Sequence, residues 1–377
     1  MTGGPTPATR RPGRLARTAL PPVAIGVFVL VAGAVVWSGV AAGTLGFDFL
    51  AYHQAANRVL AGERLYDPTV QETGGFGLYY YPPPFVVALL PLAPLAPELA
   101  TWVWVALSVA ALVGAIALMP VSPTVRWLTL LLAGLSWPVA YALKLGQVGP
   151  LLLLLFALGW RWLDRPVAVG VSGAAGAIVK IQPGIVLAWA LLTRRWAAAA
   201  IGVAVVLVAA VVATLATGGV GVWSDYLALL GNVSDPITTP HNFTPGAVLY
   251  QAVPVPTGVA ATFELASSVA AVAVVVVAAL RGTAAASYLA AVVASQLLSP
   301  VLWDHYAMLL VLPTAWLLER GQSWAVAIPL ATSVLVLFVI PPAAYPISFW
   351  VALVAVTAVG LRERNGAPAR LAEPASA

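Results

Sequence analysis

Asp48 follows directly on the first long apolar run of the chain, in Gly46-Phe47-Asp48-Phe49. A carboxylate held at a bilayer surface can accept the proton of a hydroxyl nucleophile. Asp is also among the best helix N-caps, so the same residue could instead cap a helix beginning at Phe49. Lys180 precedes Gln182-Pro183 at a break between two short apolar runs. An ammonium at headgroup depth suits a phosphate, although snorkelling to the interface would equally account for a lysine there. Ser299-Pro300-Val301-Leu302-Trp303-Asp304-His305-Tyr306 joins two further runs. A His that donates to phosphate oxygen beside an Asp that orients it makes a binding corner, whereas Trp303 and Tyr306 alone would read as interfacial belt residues. Lys144-Leu145-Gly146-Gln147 fills a turn that needs only its Gly, so Lys144 and Gln147 are either contact residues or part of a snorkelling turn.

Other chemistries leave no trace. The chain has no Gly-rich phosphate loop, no nucleophile elbow, no His-Glu-x-x-His and no cysteine. Asp48, Asp304 and the histidines could at most form a weak divalent site, and no metal is expected.

The elements that must position these groups are membrane helices. The 377 residues are 61% hydrophobic and 8% charged, with a mean hydropathy of +0.96, against about a quarter charged in a soluble domain. Such a chain cannot cover itself with polar surface. Lipid is its solvent, and one integral membrane domain of all-α class, a polytopic bundle, is expected over residues 1–377. The excess of basic residues is sorted by membrane side rather than read as nucleic-acid affinity.

Apolar runs fall at about 20–42, 98–119, 124–143, 148–163, 166–179, 183–193, 195–217, 258–280, 284–298, 305–318, 322–340 and 346–361, about twelve spans, several so short that tilted or re-entrant helices are expected. The first run is too long for the core of a cleaved signal peptide. Arg10, Arg11, Arg14 and Arg17 precede it and place the N-terminus in the cytoplasm. If residues 166–193 form a hairpin turning at Lys180, fourteen of the 18 basic residues lie inside and only Arg58, Arg64, Lys144 and Lys180 lie outside. All three histidines and nine of the 13 acids then join those four. Function is expected on the outer face of a plasma membrane, with polar tails at 1–18 and 362–377 in the cytoplasm.

Two outer segments, 43–97 and 218–257, are long enough to fold. In the first, Phe49, Tyr52, Ala56, Val59 and Leu60 recur at helical spacing while His53, Gln54, Asn57 and Arg58 face elsewhere, which predicts an amphipathic helix on the membrane surface ending at Gly62. Pro68, Gly74-Gly75 and Tyr79-Tyr80-Tyr81-Pro82-Pro83-Pro84 should then bar regular helix until the chain returns to the bilayer. The second includes Trp223, His241 and Asn242.

Taken in order, Gly46-Phe47-Asp48-Phe49, Gly62-Glu63-Arg64-Leu65-Tyr66-Asp67-Pro68, Tyr80-Tyr81-Pro82-Pro83, Leu145-Gly146-Gln147, Lys180-Ile181-Gln182-Pro183 and Ser299-Pro300 with Trp303-Asp304-His305 form a series. It resembles the GT-C membrane glycosyltransferases of glycosyltransferase family 87 over about residues 43–306. The resemblance implies an actinobacterial envelope enzyme taking a sugar, usually mannose and otherwise arabinofuranose, from a polyprenyl phosphate. It implies Asp48 as catalytic base and Lys180 beside the donor phosphate, with His305 the first of what is often a His-His pair. Here Tyr306 stands second, and Asn242-Phe243-Thr244 replaces a usual Asn-Gln-Ser run.

A single carboxylate in line with a departing phosphate suffices for inverting transfer, with Lys180, His305, Lys144 or Arg58 stabilising the leaving charge. His53, Tyr81, Gln147, Gln182, Asn242, Asp304 and Tyr306 are further substrate-binding candidates. The expected partners are a lipid-linked sugar donor, a glycolipid or polysaccharide acceptor and the bilayer, without cofactor or nucleic acid. A transporter or flippase is the rival from another class, but it would place its ionisable groups near the midplane rather than at span ends.

Overall fold

The structure, a computed structural model, describes residues 14–67, 69, 78–233, 236–333 and 341–366. The outermost tails, Glu72, Gly74-Gly75, Asp235 and the last part of the 322–340 run lie outside the described residues. Within them the chain is all-α. Its helices are α1 (Arg14–Ala41), α2 (Phe47–Leu60), α3 (Pro83–Leu89), α4 (Pro97–Leu118), α5 (Pro123–Leu135), α6 (Trp137–Leu145), α7 (Gly149–Arg161), α8 (Pro166–Val179), α9 (Ile185–Leu192), α10 (Trp196–Ala216), α11 (Gly221–Val233), α12 (Pro245–Ala252), α13 (Thr257–Arg281), α14 (Ala284–Leu297), α15 (Val311–Glu319), α16 (Ala327–Leu330) and α17 (Ala344–Gly366).

Proline starts many of them. It occupies the first or second position of α3 to α8 and of α12, where its missing N–H has no helical partner to lose. This corrects the expectation for the Tyr-Pro run: Pro83 and Pro84 open α3, since prolines that would break a helix interior are well placed in its first turn. Pro138 acts differently. A continuous α5–α6 would drive its ring against the preceding turn, so the helix breaks at Ser136 and the two halves bend by 65°.

The expected twelve spans resolve into fewer long ones. Five stretches, Thr18–Ala41, α4, α10, α13 and α17, are long and apolar enough to cross a bilayer, and α5 with α6 makes a sixth if the bent pair is one span. The 148–163, 166–179, 183–193 and 284–298 runs are helices of 8 to 14 residues, and the 305–318 run is a 3₁₀ turn leading into α15. Hydropathy alone cannot separate such helices from crossings, because a helix buried in protein is as apolar as one facing lipid. In α14 every residue from Ala286 to Leu297 is buried, and it forms the centre of the bundle. Tyr288 donates to the Phe156 carbonyl of α7 at 3.0 Å, and Trp189 of α9 donates to Ser287 at 3.0 Å. The periphery is the reverse: Leu207, Val211 and Leu215 of α10 and Leu265 and Val269 of α13 are exposed, an apolar surface suited to lipid. Small residues bring α8 onto α10, where a Cβ on Gly170 would lie 3.1 Å from the Gly202 nitrogen.

The amphipathic helix forms almost where expected, as α2, but it packs on α3, α4 and α6 instead of standing alone on a surface. His53 is correspondingly turned inward rather than to solvent. It is buried with Phe49, Tyr52 and Ala56, its Nε2 3.1 Å from the Leu95 carbonyl.

Hydrogen bonds sort the helix ends into two sets. One joins the start of α2 to the end of α6 (Gly46 N–H to Lys144 carbonyl, 2.8 Å), the turn after α8 to Ser299 (2.7 Å from Gln182), and Phe243 to Leu302 (2.8 Å). The other joins Ser122 to Glu319 (2.8 Å), Arg320 to Glu363 (2.7 Å) and Arg364 to the Leu280 carbonyl (3.0 Å). The chemically varied residues belong to the first set.

Candidate functional site

Two glycine turns build the site. Gly46, the N-cap of α2, and Gly146, the C-cap of α6, both take left-handed backbone angles, φ +74° and +69°. They also lie against one another. A Cβ on Gly146 would sit 2.7 Å from the Phe49 Cβ, and one on Gly46 would sit 2.6 Å from the Thr101 Cγ2. Trp104 locks the pair by donating from Nε1 to the Gly146 carbonyl at 2.7 Å. Only residues without side chains permit this approach, and it brings Asp48 to Gln147.

Gln147 donates from Nε2 to Asp48 Oδ2 at 2.5 Å. An ionised carboxylate only accepts, so the amide turns its Nε2 to Asp48 and leaves its Oε1 to Tyr52 and Tyr81, at 3.3 and 3.1 Å. The two phenols are 2.7 Å apart and fully enclosed with Phe49, Phe85 and Trp104. Asp48 is not the N-cap of α2. Gly46 holds that position and no side chain caps the helix; Asp48 lies in the first turn, where the helix dipole still favours its charge.

Lys180 ends α8, extended at φ −146°, because Pro183 bars a further helical turn. Its Nζ donates to the Tyr306 hydroxyl at 2.5 Å, 3.8 Å from that ring's centroid and 5.4 Å from the Tyr81 ring. Among the described residues it has no ion pair. Desolvation lowers the Lys180 ammonium to about 7, against the upward pull of Asp48. Desolvation likewise raises the Asp48 carboxyl above the usual carboxylate range, opposed by His305, the Gln147 hydrogen bond and Lys180 and reinforced by Asp304. The two are close enough to feel each other's charge without being a pair.

His305 completes the group. Asp304 Oδ1 accepts the His305 backbone N–H at 2.7 Å and lies 3.4 Å from its Nδ1, while Nε2 is buried with no partner among the described residues. The ring is 5% exposed and stands edge-on to Tyr306. A buried nitrogen left without a partner is free to bond a ligand. The geometry therefore provides a carboxylate with raised proton affinity and, within electrostatic reach of it, an ammonium with no ion pair and an imidazole with a free nitrogen among the described residues.

The other sequence candidates divide. Gln182 docks the Lys180 turn on Ser299, so it holds the turn in place. Lys144 offers its backbone carbonyl to Gly46, and its stem runs beside Gly39 of α1. Arg58 donates to the Leu65 carbonyl at 3.2 Å, and Asn57 and Leu95 engage His53. Asn242 is consumed by backbone: Nδ2 donates to the Pro236 and Pro300 carbonyls, and Oδ1 accepts the Thr244 and Leu302 amides at 3.0 and 2.9 Å. It thereby ties the second loop to the segment carrying Asp304 and His305. Ser299 belongs to the motif that carries Asp304 and His305, whereas Tyr52 is a site neighbour that the sequence analysis reads only as part of an apolar helix face. Tyr52 had a signal, since it lies four residues after Asp48 on the same helical face.

No curated protein and no solved structure matches the chain. Residues 79–313, well over half of it, match the family described as glycosyltransferase family 87. That stretch includes Tyr81, Gln147, Lys180, Asp304 and His305; Asp48 precedes it. With its long apolar helices and this match, the chain belongs to glycosyltransferase family 87 and is a membrane glycosyltransferase.

Proposed function

We propose that this enzyme transfers a sugar, mannose before arabinofuranose, from a polyprenyl phosphate to a hydroxyl of a glycolipid or polysaccharide, with inversion. The observation that carries the reading is the placement of Lys180 and His305, both without an ionic or hydrogen-bonded claim on their phosphate-binding capacity beyond Tyr306 and Asp304, beside the Asp48 carboxylate. In the reaction the acceptor oxygen bonds to the anomeric carbon, the bond from that carbon to phosphate oxygen breaks, and the acceptor proton passes to Asp48. The departing phosphate needs positive charge and donors rather than a proton, which Lys180 and His305 supply. No cofactor is required. A β-linked mannosyl phosphate would yield an α-mannoside.

We place the site at the outer face of the plasma membrane, in a single multi-pass domain with both termini cytoplasmic. In support, Arg126, Arg195, Arg320 and Arg364 all belong to the set of helix ends away from Asp48, as cytoplasmic retention of arginine requires. The prenyl chain would lie in bilayer-like surroundings, gaining about 0.8 kcal/mol per buried methylene.

The test is to incubate membranes containing the protein with labelled polyprenyl-phosphate mannose and, separately, labelled polyprenyl-phosphate arabinofuranose, and to identify the product and its anomeric configuration. Transfer from the mannose donor with inversion is expected. Retention of configuration, or transfer from neither donor, would overturn the reading.

A further inference from the structure

Around Asp304 lies a second group of side chains that phosphate chemistry does not use. The bend at Ser136 sets α6 so that Trp137 and Tyr141 stack at 5.1 Å with ring planes 13° apart, both half-buried. Phe243, carried by its loop onto Leu302, stacks on Tyr345 of α17 at 4.4 Å and 27°. α6 and α17 both pack on the 3₁₀ turn Asp304–Leu310, which sets Asp304 within electrostatic reach of Tyr141 and Tyr345, and Tyr141 within reach of Asp48 as well. Asp304 commits Oδ1 to His305, but Oδ2 has no partner among the described residues, and the side chain is 23% exposed.

A lipid chain would be served by the rings and would leave a carboxylate oxygen unsatisfied; a sugar ring uses both. Its C–H face carries slight positive charge that suits the negative face of an aromatic ring, while its rim of hydroxyls donates to carboxylate. Transfer needs one carboxylate for the proton, and Asp48 supplies it, so Asp304 Oδ2 is available for recognition. We propose that Tyr141, backed by Trp137, and Asp304 Oδ2 form the acceptor-sugar subsite, with Phe243 and Tyr345 on its far side. The subsite takes a glycoside ring and turns one of its hydroxyls toward Asp48. This assignment rests on the transferase reading above and adds to it which residues select the acceptor.

The test measures binding to the full-length protein in nanodiscs, independently of turnover. Methyl α-D-mannopyranoside and methyl α-D-arabinofuranoside are titrated by saturation-transfer NMR, and decaprenyl phosphate is titrated in parallel. Wild type should bind at least one glycoside; Tyr141→Leu should weaken that binding at least fivefold; Tyr141→Phe should stay within twofold. Decaprenyl phosphate binding should stay within twofold in both variants. Glycoside binding by Tyr141→Leu equal to wild type, no glycoside binding by wild type, or parallel loss of both ligands in Tyr141→Leu and Tyr141→Phe would each overturn the subsite. Whether wild type transfers sugar at all is read in the labelled-donor experiment, so failure there leaves the binding result interpretable.

Discussion

The two ends of the helix bundle treat charge differently. At the end carrying Arg320 and Arg364, several charges are answered locally: Arg320 bonds Glu363 and stacks on Trp316, Arg126 donates to the Met119 carbonyl, and Arg364 donates to the Leu280 and Gly282 carbonyls. These are cations at helix C-termini and exposed pairs, arrangements that fix ends and orientation. At the end carrying Asp48, the groups are brought together yet left incompletely satisfied. Among the described residues, Lys180 has a phenol in place of a carboxylate, His305 Nε2 has no partner, and Asp48 has an amide. The exposed Arg64–Asp225 pair at this end, 2.8 Å long, ties the first loop to α11 and is separate from the group. Unsatisfied polar groups in a desolvated site cost stability, and they are kept where a ligand will complete them. Charge serves architecture at one end and chemistry at the other.

The largest effect expected from this contrast is at Asp48. Asp48→Asn keeps an acceptor oxygen and the fold of α2, whose cap is Gly46, but cannot take a proton. Transfer should fall about 10²-fold or more, with membrane yield and decaprenyl phosphate binding retained. In the wild type, Asp48 must be ionised to act, so activity should decline as pH falls through a value above the usual carboxylate range. An active Asp48→Asn enzyme would remove the proposed base and leave Asp304 as the carboxylate to examine.

Lys180 should come next. A hydrogen bond from a charged group to phosphate is worth about 1.5–3 kcal/mol, so Lys180→Ala should lower kcat/KM for the donor about tenfold to a hundredfold. Its pH behaviour sharpens the expectation. With the ammonium lowered to about 7, raising the pH through that value discharges it, and kcat/KM for the donor should fall on that alkaline limb. Bound phosphate restores the charge, so kcat at saturating donor should hold to higher pH. Lys180→Ala should lack the limb altogether. A limb that persists in that variant belongs to another group, and Lys180 would then be an interfacial lysine.

Much of the active end is legible in the sequence for the same reason that the ends differ. In a chain with 8% charged residues, an acid, a lysine or a His-Asp pair at the end of an apolar run stands out, which is how Asp48, Lys180, Asp304 and His305 can be singled out. Gln147 could be found because Gly146 needed no such neighbour. Tyr52 had the weaker signal of its place four residues after Asp48, and there an aromatic residue reads first as core. Asn242 reads as a substrate ligand because its real partners, the carbonyls of Pro236 and Pro300 and the amide of Leu302, are backbone groups that no sequence pattern displays. The same limit applies to the spans: α14 is as apolar as α13, yet it is enclosed by protein along its length while much of α13 is exposed.

The smallest effect is expected at Arg320, and it tests the other half of the contrast. Arg320→Gln removes the 2.7 Å bond to Glu363 and the contact with the Trp316 ring, 3.8 Å from the guanidinium carbon. Both partners of the ion pair are about a third exposed, so the pair contributes up to about 1 kcal/mol, less in salt, and a partly exposed cation–π contact adds about 0.5–1 kcal/mol. A thermal shift of a few degrees should result, smaller at high ionic strength. The donor and acceptor groups lie at the opposite set of helix ends, so transfer should stay within twofold of wild type at a temperature where both are folded. A loss of transfer comparable to that in Lys180→Ala, with folding intact, would mean that the ion pairs of this end also set the geometry of the site, and the division of labour between the two ends would not hold.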